Sequence, residues 1–357
     1  MKQKFVSIKP ILKMTPAPNY VILLGERSNG KSYAVKEHVL KNYRDNGGRF
    51  IYLRRYQIET KPSYIDGYFR DAPVTQIFDD YESITAYRGG IYLTKYDEKT
   101  GKDVRGDLIG YSGYLSNETH YKSQNYNDVT DIIFEEFVTS DGYLYREVEK
   151  LISFVSTVAR RRKIRVWMVG NTISRMCPYF SEFGLHNIPK QKQGTIETYT
   201  HSTDQIDENG DTVQVRIAVY FCENASNNSK MFFGTASDMV TKGTWQTRNY
   251  PHLPYRYREC ESLYQIQYKY KEFVFKFEVL RSPSRELFLF VRPHTSIDDM
   301  RTITDTTDPR PYFTRDFFPL NKGDRIVKYL YDNGKIYYSD NLTGADFESI
   351  LNDKGGF

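Results

Sequence analysis

The sequence predicts an α/β domain built on a mostly parallel sheet, followed by a smaller α+β domain. Short apolar runs of strand type alternate with helical patterns through the first 220 or so residues, which is how a parallel sheet with crossover helices reads. A glycine-bounded loop, Gly25-Glu-Arg-Ser-Asn-Gly-Lys-Ser32, stands between the first of these runs and the first helical pattern. From about residue 262 the alternation gives way to consecutive strands joined by tight turns.

Each element follows from its local pattern. Tyr20–Leu24 is an apolar run that suits a buried strand, and Tyr33–Leu40 sets Ala34, Val35, Val39 and Leu40 at helical spacing. Arg49–Leu53 is a second strand, ending in Arg54-Arg55-Tyr56. Residues 90–115 read as a hairpin: Gly90–Thr94, a polar turn at Glu98–Lys102, then Leu108–Tyr111. Val129–Phe134 is a third core strand. A helix over 144–162, with Val148, Leu151, Ile152, Val155 and Val158 on one face, leads into a fourth strand, Ile164–Val169. Val215–Phe221 closes the domain.

Composition then shifts at the polar break Asn224–Ser229, followed by a connector that is helical around Ala236–Val240 and interrupted at Pro251–Pro254. Strands Leu263–Tyr270, Phe273–Leu280 and Leu287–Arg292 come next, with helical or mixed segments near Phe313–Phe318 and Ile326–Tyr331. The expected division is a first domain over 1–223, a linker over 224–254 and a second domain over 255–357.

Bulk properties bound the reading. At 357 residues there is room for two domains, and a net charge of +5 permits a polyanionic partner without requiring one. Cys177, Cys222 and Cys260 are far apart and odd in number, which fits a reducing compartment better than a disulfide scaffold or a zinc site. The six histidines have no metal-ligand spacing. No apolar stretch approaches a membrane span, and no signal-peptide core follows Met1-Lys-Gln-Lys4, so a soluble cytoplasmic protein with no membrane partner is expected.

The loop has the form G-x-x-x-x-G-K-[ST] in its proper strand–loop–helix frame. Backbone N–H groups of Gly25, Glu26, Arg27, Ser28, Asn29 and Gly30, with the helix N-terminus behind them, suit a polyphosphate such as that of ATP. Lys31 is placed for the β- and γ-phosphates and Ser32 for Mg²⁺. Hydrolysis also needs acids at a strand end, and Asp131-Ile-Ile-Phe-Glu-Glu136 supplies two. Adjacent residues leave a strand on opposite faces, so Glu135 is assigned to the magnesium shell and Glu136 to the attacking water.

Two surface glutamates after a core strand are the plainer reading; the intact loop favours the catalytic one. Loop, sheet and glutamate together describe a P-loop NTPase core of the ASCE type. Asn171, after the fourth strand, is either a γ-phosphate sensor or a strand-end turn residue. Arg160-Arg-Arg-Lys163 complements a helix C-terminus. In a ring ATPase one such arginine serves the neighbouring subunit's site, and Arg160 is the first choice, with Arg27 an alternative source of positive charge.

These segments resemble, in order, the ATPase family of the prohead-RNA-dependent DNA packaging motors of phi-29-type tailed bacteriophages. The resemblance is carried by Gly25–Ser32 with Tyr33-Ala34, Phe50-Ile-Tyr-Leu-Arg-Arg-Tyr56, Ile133-Phe-Glu-Glu-Phe137, Arg160–Arg162, Gly170-Asn-Thr-Ile-Ser174 and Pro178-Tyr-Phe180. It covers most of the first domain and beyond about residue 225 rests on order and length. It implies a homo-oligomeric ring, usually a pentamer, at the portal vertex of an empty capsid in the host cytoplasm. Double-stranded DNA, the portal protein and a packaging RNA are the implied partners.

The family's trans-acting arginine falls on Arg160, and its magnesium-binding aspartate is here Glu135, whose extra methylene moves the carboxylate by about 1.5 Å. Related large terminases carry an RNase H-like nuclease second. Here Leu263–Tyr270 holds no acid, and Glu272, Glu278 and Glu286 form no evident metal set. The expectation is therefore a vestigial RNase H-like domain that binds RNA, portal or DNA. Lys269, Lys271 and Lys276 suit a phosphate backbone or, equally, a solvated strand face. Asn117–Asn125 is a guess for a loop near the DNA. A helicase-like translocase and a nucleotide-gated binding module without turnover are the alternatives.

Overall fold

The structure is a computed structural model that describes residues 6–121, 125–139, 142–160, 162–172, 177–206, 210, 212–223, 249–270, 273–315 and 321–354. Two sheets organise them. The first contains β1 (Tyr20–Gly25), β2 (Arg49–Arg54), β3 (Ser83–Tyr87), β4 (Gly90–Asp97), β5 (Lys102–Tyr114), β6 (Val129–Glu135), β7 (Arg165–Asn171), β8 (Ile196–Ile206) and β9 (Thr212–Phe221). Their order is β3-β4-β5-β2-β6-β7-β1-β9-β8. From β5 across to β9 all neighbours are parallel. The edges are antiparallel, β3 and β4 on one side and β8 on the other.

Helices α1 (Lys9–Leu12), α2 (Lys31–Asn46), α3 (Pro62–Phe69), α4 (Val74–Ile77), α5 (Glu147–Ala159) and α6 (Pro178–Glu182) belong to the same span. The apolar runs of the central strands are continuous because both faces are covered. Val21 and Leu23 join one core with Val35, Val39 and Leu40 of α2 and Ile65 and Phe69 of α3. Ile22 and Leu24 join the other, with Leu151, Phe154 and Val158 of α5 and Tyr179 of α6. This is a three-layer α/β arrangement with a mostly parallel core, as expected.

Several expectations need correction. The helix expected over 144–162 is shorter, and Ile152 is 48% exposed rather than inward. Leu151 and Val158 lie at the centre of the buried stripe, and a residue next to Leu151 is turned about 100° from it. The strands β3 and β8 carry no apolar run; both pair only at an edge, where polar side chains are tolerated. In the segment guessed to approach DNA, Asn117, Thr119, His120 and Asn125 are exposed and Tyr121 is buried, while 122–124 lie outside the described residues.

The second sheet contains β10 (Glu261–Tyr270), β11 (Phe273–Arg281), β12 (Leu287–His294), β13 (Thr302–Thr304), β14 (Phe313–Arg315) and β15 (Ile336–Tyr338), in the order β14-β13-β10-β11-β12-β15. An antiparallel meander is thus flanked by parallel strands on both sides. Helices α7 (Lys322–Asp332) and α8 (Asn341–Lys354) cover one face, packing Val327, Leu330, Phe347 and Ile350 on Ile266, Phe277 and Val291. Phe313, expected in a helical or mixed segment, is in a strand.

Most of the expected linker, including Asn224–Ser229 and Ala236–Val240, lies outside the described residues. Its last residues already belong to the second sheet's packing: His252 bridges to Tyr338 and Leu253 packs on the Leu280 cluster. Lys276 is 12% exposed at its side chain and pairs with Asp298 at 3.7 Å, so it is not an open phosphate contact. Lys271 and Glu272 lie outside the described residues. Glu278 is fully buried and accepts from Arg292 (2.6 Å), Tyr257 (2.7 Å) and Gln265 (2.9 Å). That set of partners makes it an ion-paired core residue.

A buried pair ties the first sheet to α5. Arg55 Nε donates to Glu147 at 2.8 Å and Arg55 Nη2 to its other oxygen at 3.0 Å. Glu147, with no exposed side chain, also accepts from Tyr179 (2.8 Å) and the Leu144 N–H (2.8 Å). Removing the acid leaves a buried guanidinium without its counter-charge, held by the backbone carbonyls of Glu136 and Phe137. Glu147→Ala is expected to lose about 3–5 kcal/mol of stability, seen as a lower urea midpoint for the first unfolding transition.

Candidate functional site

Parallel strands present their carboxyl ends at one edge, where ligand crevices of α/β sheets form. Gly25 of β1 stands opposite Asn171 of β7, and Glu135 of β6 opposite Val169. Between β1 and α2 the chain reverses through Ser28 at φ +61° and Gly30 at φ +90°, the N-cap of α2. A side chain at Gly30 would add about 1–2 kcal/mol of left-handed strain. At Gly25 a Cβ would stand 2.9 Å from Asn29 Nδ2. The first N–H groups of α2 have no partner within the helix and open toward the crevice.

A cleft of about 760 Å³ lies over this turn, lined by residues 27–33, Lys36, Arg54, Gly67, Tyr68, Asp71, Glu135, Glu136 and residues 169–171. Loop, acid pair and Asn171, read from separate stretches of sequence, therefore share one cavity. Asn171 is the last residue of β7 rather than a residue beyond it.

Lys31 is 4% exposed, and burial pushes its amine down to about 8. The ammonium bonds the loop itself: Glu26 O at 2.5 Å, Asn29 Oδ1 at 3.1 Å and Gly25 O at 3.2 Å, with Asn171 Oδ1 at 3.4 Å. Asn29, 1% exposed, braces the loop through this bond. Glu26 is buried, whereas Arg27 and Ser28 are exposed at the rim.

The two glutamates divide as the strand geometry requires. Glu135 is 6% exposed, and burial pushes its carboxyl up against the opposing hydrogen bonds from Tyr68 and Ser32. Tyr68 donates to it at 2.7 Å. Glu136 leaves the sheet at φ +55° with its side chain 62% exposed and pairs with Arg54 at 2.7 Å. Arg54 also pairs with Glu59.

Arg160 caps α5 in a left-handed conformation, exposed, and is not among the residues that line the cleft. Arg27 does line it.

Sequence reasoning quoted Arg54 without giving it a role, and passed over Lys36, Tyr68 and Asp71. A charged residue at the carboxyl end of a parallel strand is the signal that could have found Arg54. Lys36 lies five residues beyond Lys31, about one and a half turns along α2. Tyr68 and Asp71 come from the segment between β2 and β3, where no motif marks them.

The residues present fit ATP and Mg²⁺. Ser32 and Glu135 are hard oxygen donors already joined by a hydrogen bond, the donor class magnesium takes. The glycine-bounded turn, with a cation beneath it and backbone N–H groups above, suits a polyphosphate.

The model of the Podovirus DNA encapsidation protein (Gp16) family matches residues 2–272. The DNA packaging protein of Bacillus phage B103 is 32% identical over 253 residues, 64% of this chain and 73% of that protein. The DNA packaging protein of Bacillus phage phi29 is 27% identical over 270 residues, 68% of this chain and 76% of that protein. The fold is also similar to a chain of the bacteriophage Phi-29 viral genome packaging motor assembly, with TM-score 0.53 and 20% identity over 98% of this chain and 99% of that one.

A buried ammonium that serves the fold and one that serves a ligand respond differently to removal. Lys31→Met is expected to lower thermal stability by about 1–3 kcal/mol, since Gly25 O, Glu26 O and Asn29 Oδ1 lose their donor. Affinity for a fluorescent ATP analogue is expected to fall about 100-fold, the loss of one or two charge-assisted bonds.

Proposed function

This chain belongs to the podovirus DNA encapsidation protein family, and from that membership we propose that it is an ATP-hydrolysing motor that drives double-stranded viral DNA into a preformed capsid. It works as a homo-oligomeric ring, a pentamer, at the portal vertex, with the portal protein and a packaging RNA as partners. The observation that carries the reading is the single cleft holding Lys31, Ser32, Glu135, Glu136 and Asn171, with Arg160 outside it. The insertion of β7 between the loop strand β1 and the acid strand β6 supports an ASCE-type core. The meander with flanking parallel strands supports a vestigial RNase H-like second domain.

In this reading the N–H groups of residues 25–30 and the ammonium of Lys31 bind the phosphates. Ser32 and Glu135 would hold a magnesium ion, which would supply positive charge to the phosphates. Glu136 polarises the attacking water. Arg54 holds one oxygen of that carboxylate at 2.7 Å, which leaves the other for the water. Asn171 reports the γ-phosphate, bonded to Lys31 on one side and placed beside Gly25 on the other. Arg160 supplies positive charge to the neighbouring subunit.

ATP hydrolysis, measured with and without double-stranded DNA and capsids, tests the motor. Turnover that rises with DNA and collapses in Glu136→Gln is expected; nucleotide binding without turnover in any assembled state would leave only a nucleotide-gated binding protein. The trans arginine has its own test. Glu136→Gln and Arg160→Ala chains are each expected to be inactive, while mixed rings recover part of the activity wherever an intact glutamate faces an intact arginine. No recovery on mixing would place the arginine's action within its own subunit.

A further inference from the structure

We propose that Tyr68 is the positioning residue that fits a glutamate to the magnesium position of this site. The proposal rests on the nucleotide-site reading above and concerns how Glu135 can do the work of a shorter acid. A glutamate has one more rotatable bond than an aspartate, so its carboxylate samples more directions unless something outside the strand holds it. The Tyr68 hydroxyl does so, donating to Glu135 Oε1 at 2.7 Å. A carboxylate pinned through one oxygen has its other oxygen fixed in direction.

The hydroxyl arrives on a rigid mount. The Tyr68 ring lies 4.5 Å from the Tyr52 ring of β2 and meets Phe69 edge-on at 4.8 Å. Lys36 Nζ stands 4.5 Å over the ring, donates to the Tyr68 carbonyl at 2.8 Å and pairs with Asp71. Tyrosine has only two side-chain torsions, and these contacts fix both. The mount spans α2, β2 and α3, so the support for Glu135 comes from a different segment than the strand that carries it. An aspartate at 135 would stop about 1.5 Å short of the hydroxyl.

The experiment titrates Mg²⁺ against the affinity of the full chain for a fluorescent ADP analogue, with metal-free controls in EDTA. Tyr68→Phe keeps the ring and removes only the hydroxyl. Its metal-free affinity is expected to match wild type, while the Mg²⁺ concentration for half-maximal enhancement rises about tenfold, one hydrogen bond to a charged group. In a Glu135→Asp background, Tyr68→Phe is expected to add no further change, because the shorter acid does not reach the hydroxyl. Wild-type Mg²⁺ dependence in Tyr68→Phe, or an equal loss of affinity with and without metal, would overturn the positioning role. Wild-type protein whose nucleotide affinity ignores Mg²⁺ would instead overturn the site reading beneath it.

Discussion

The parallel hydrogen bonds between β1, β7 and β6 set the level at which every chemical group of the cleft appears. Gly25 pairs with Asn171 and Val169 with Glu135, so the loop begins where Asn171 ends its strand and the buried acid lies just beneath. Strand register has a period of two, and a slip of one residue would exchange the faces of each strand. Glu135 would then lose Tyr68, and the apolar partners of two separate cores would change places. The double burial of these strands, with Val21 and Leu23 on one side and Ile22 and Leu24 on the other, holds that register against slippage.

Two neighbouring arginines at the end of β2 act on one residue by different routes. Arg54 pairs with the side chain of Glu136, and Arg55 donates to its carbonyl at 3.2 Å and to that of Phe137 at 2.9 Å. The backbone at Glu136 is held in an uncommon left-handed conformation, the kind of local strain that surrounding contacts must over-determine. Through Glu147 the same Arg55 grips the first turn of α5, a helix about 20 Å long with Arg160 at its far end. The proposed base and the proposed trans arginine are thereby joined by one ion pair and one rigid rod.

What was legible in the sequence was local. The loop and the strand-end glutamates are contiguous runs whose spacing encodes their geometry, and the core strands announce themselves as apolar runs. The edge strands β3 and β8 escaped because an edge needs no apolar run. Ile152 was misplaced because four neighbouring apolar residues allow more than one choice of stripe, and only packing selects Phe154 over it. The support of the acid, Tyr68 with Lys36 and Asp71, joins positions from two helices and the turn after one of them, and no spacing rule relates them. The pairing of Lys276 is of the same kind: its partner Asp298 comes from a different turn of chain.

The ammonium of Lys31 is hydrogen-bonded within its own loop. Its bonds to Gly25 O, Glu26 O and Asn29 Oδ1 close the loop on itself. In the proposed reading, a phosphate competes with these carbonyl partners for the ammonium instead of meeting a bare charge. If the proposed nucleotide site is right, these three oxygens set how firmly the ammonium can hold any phosphate it meets.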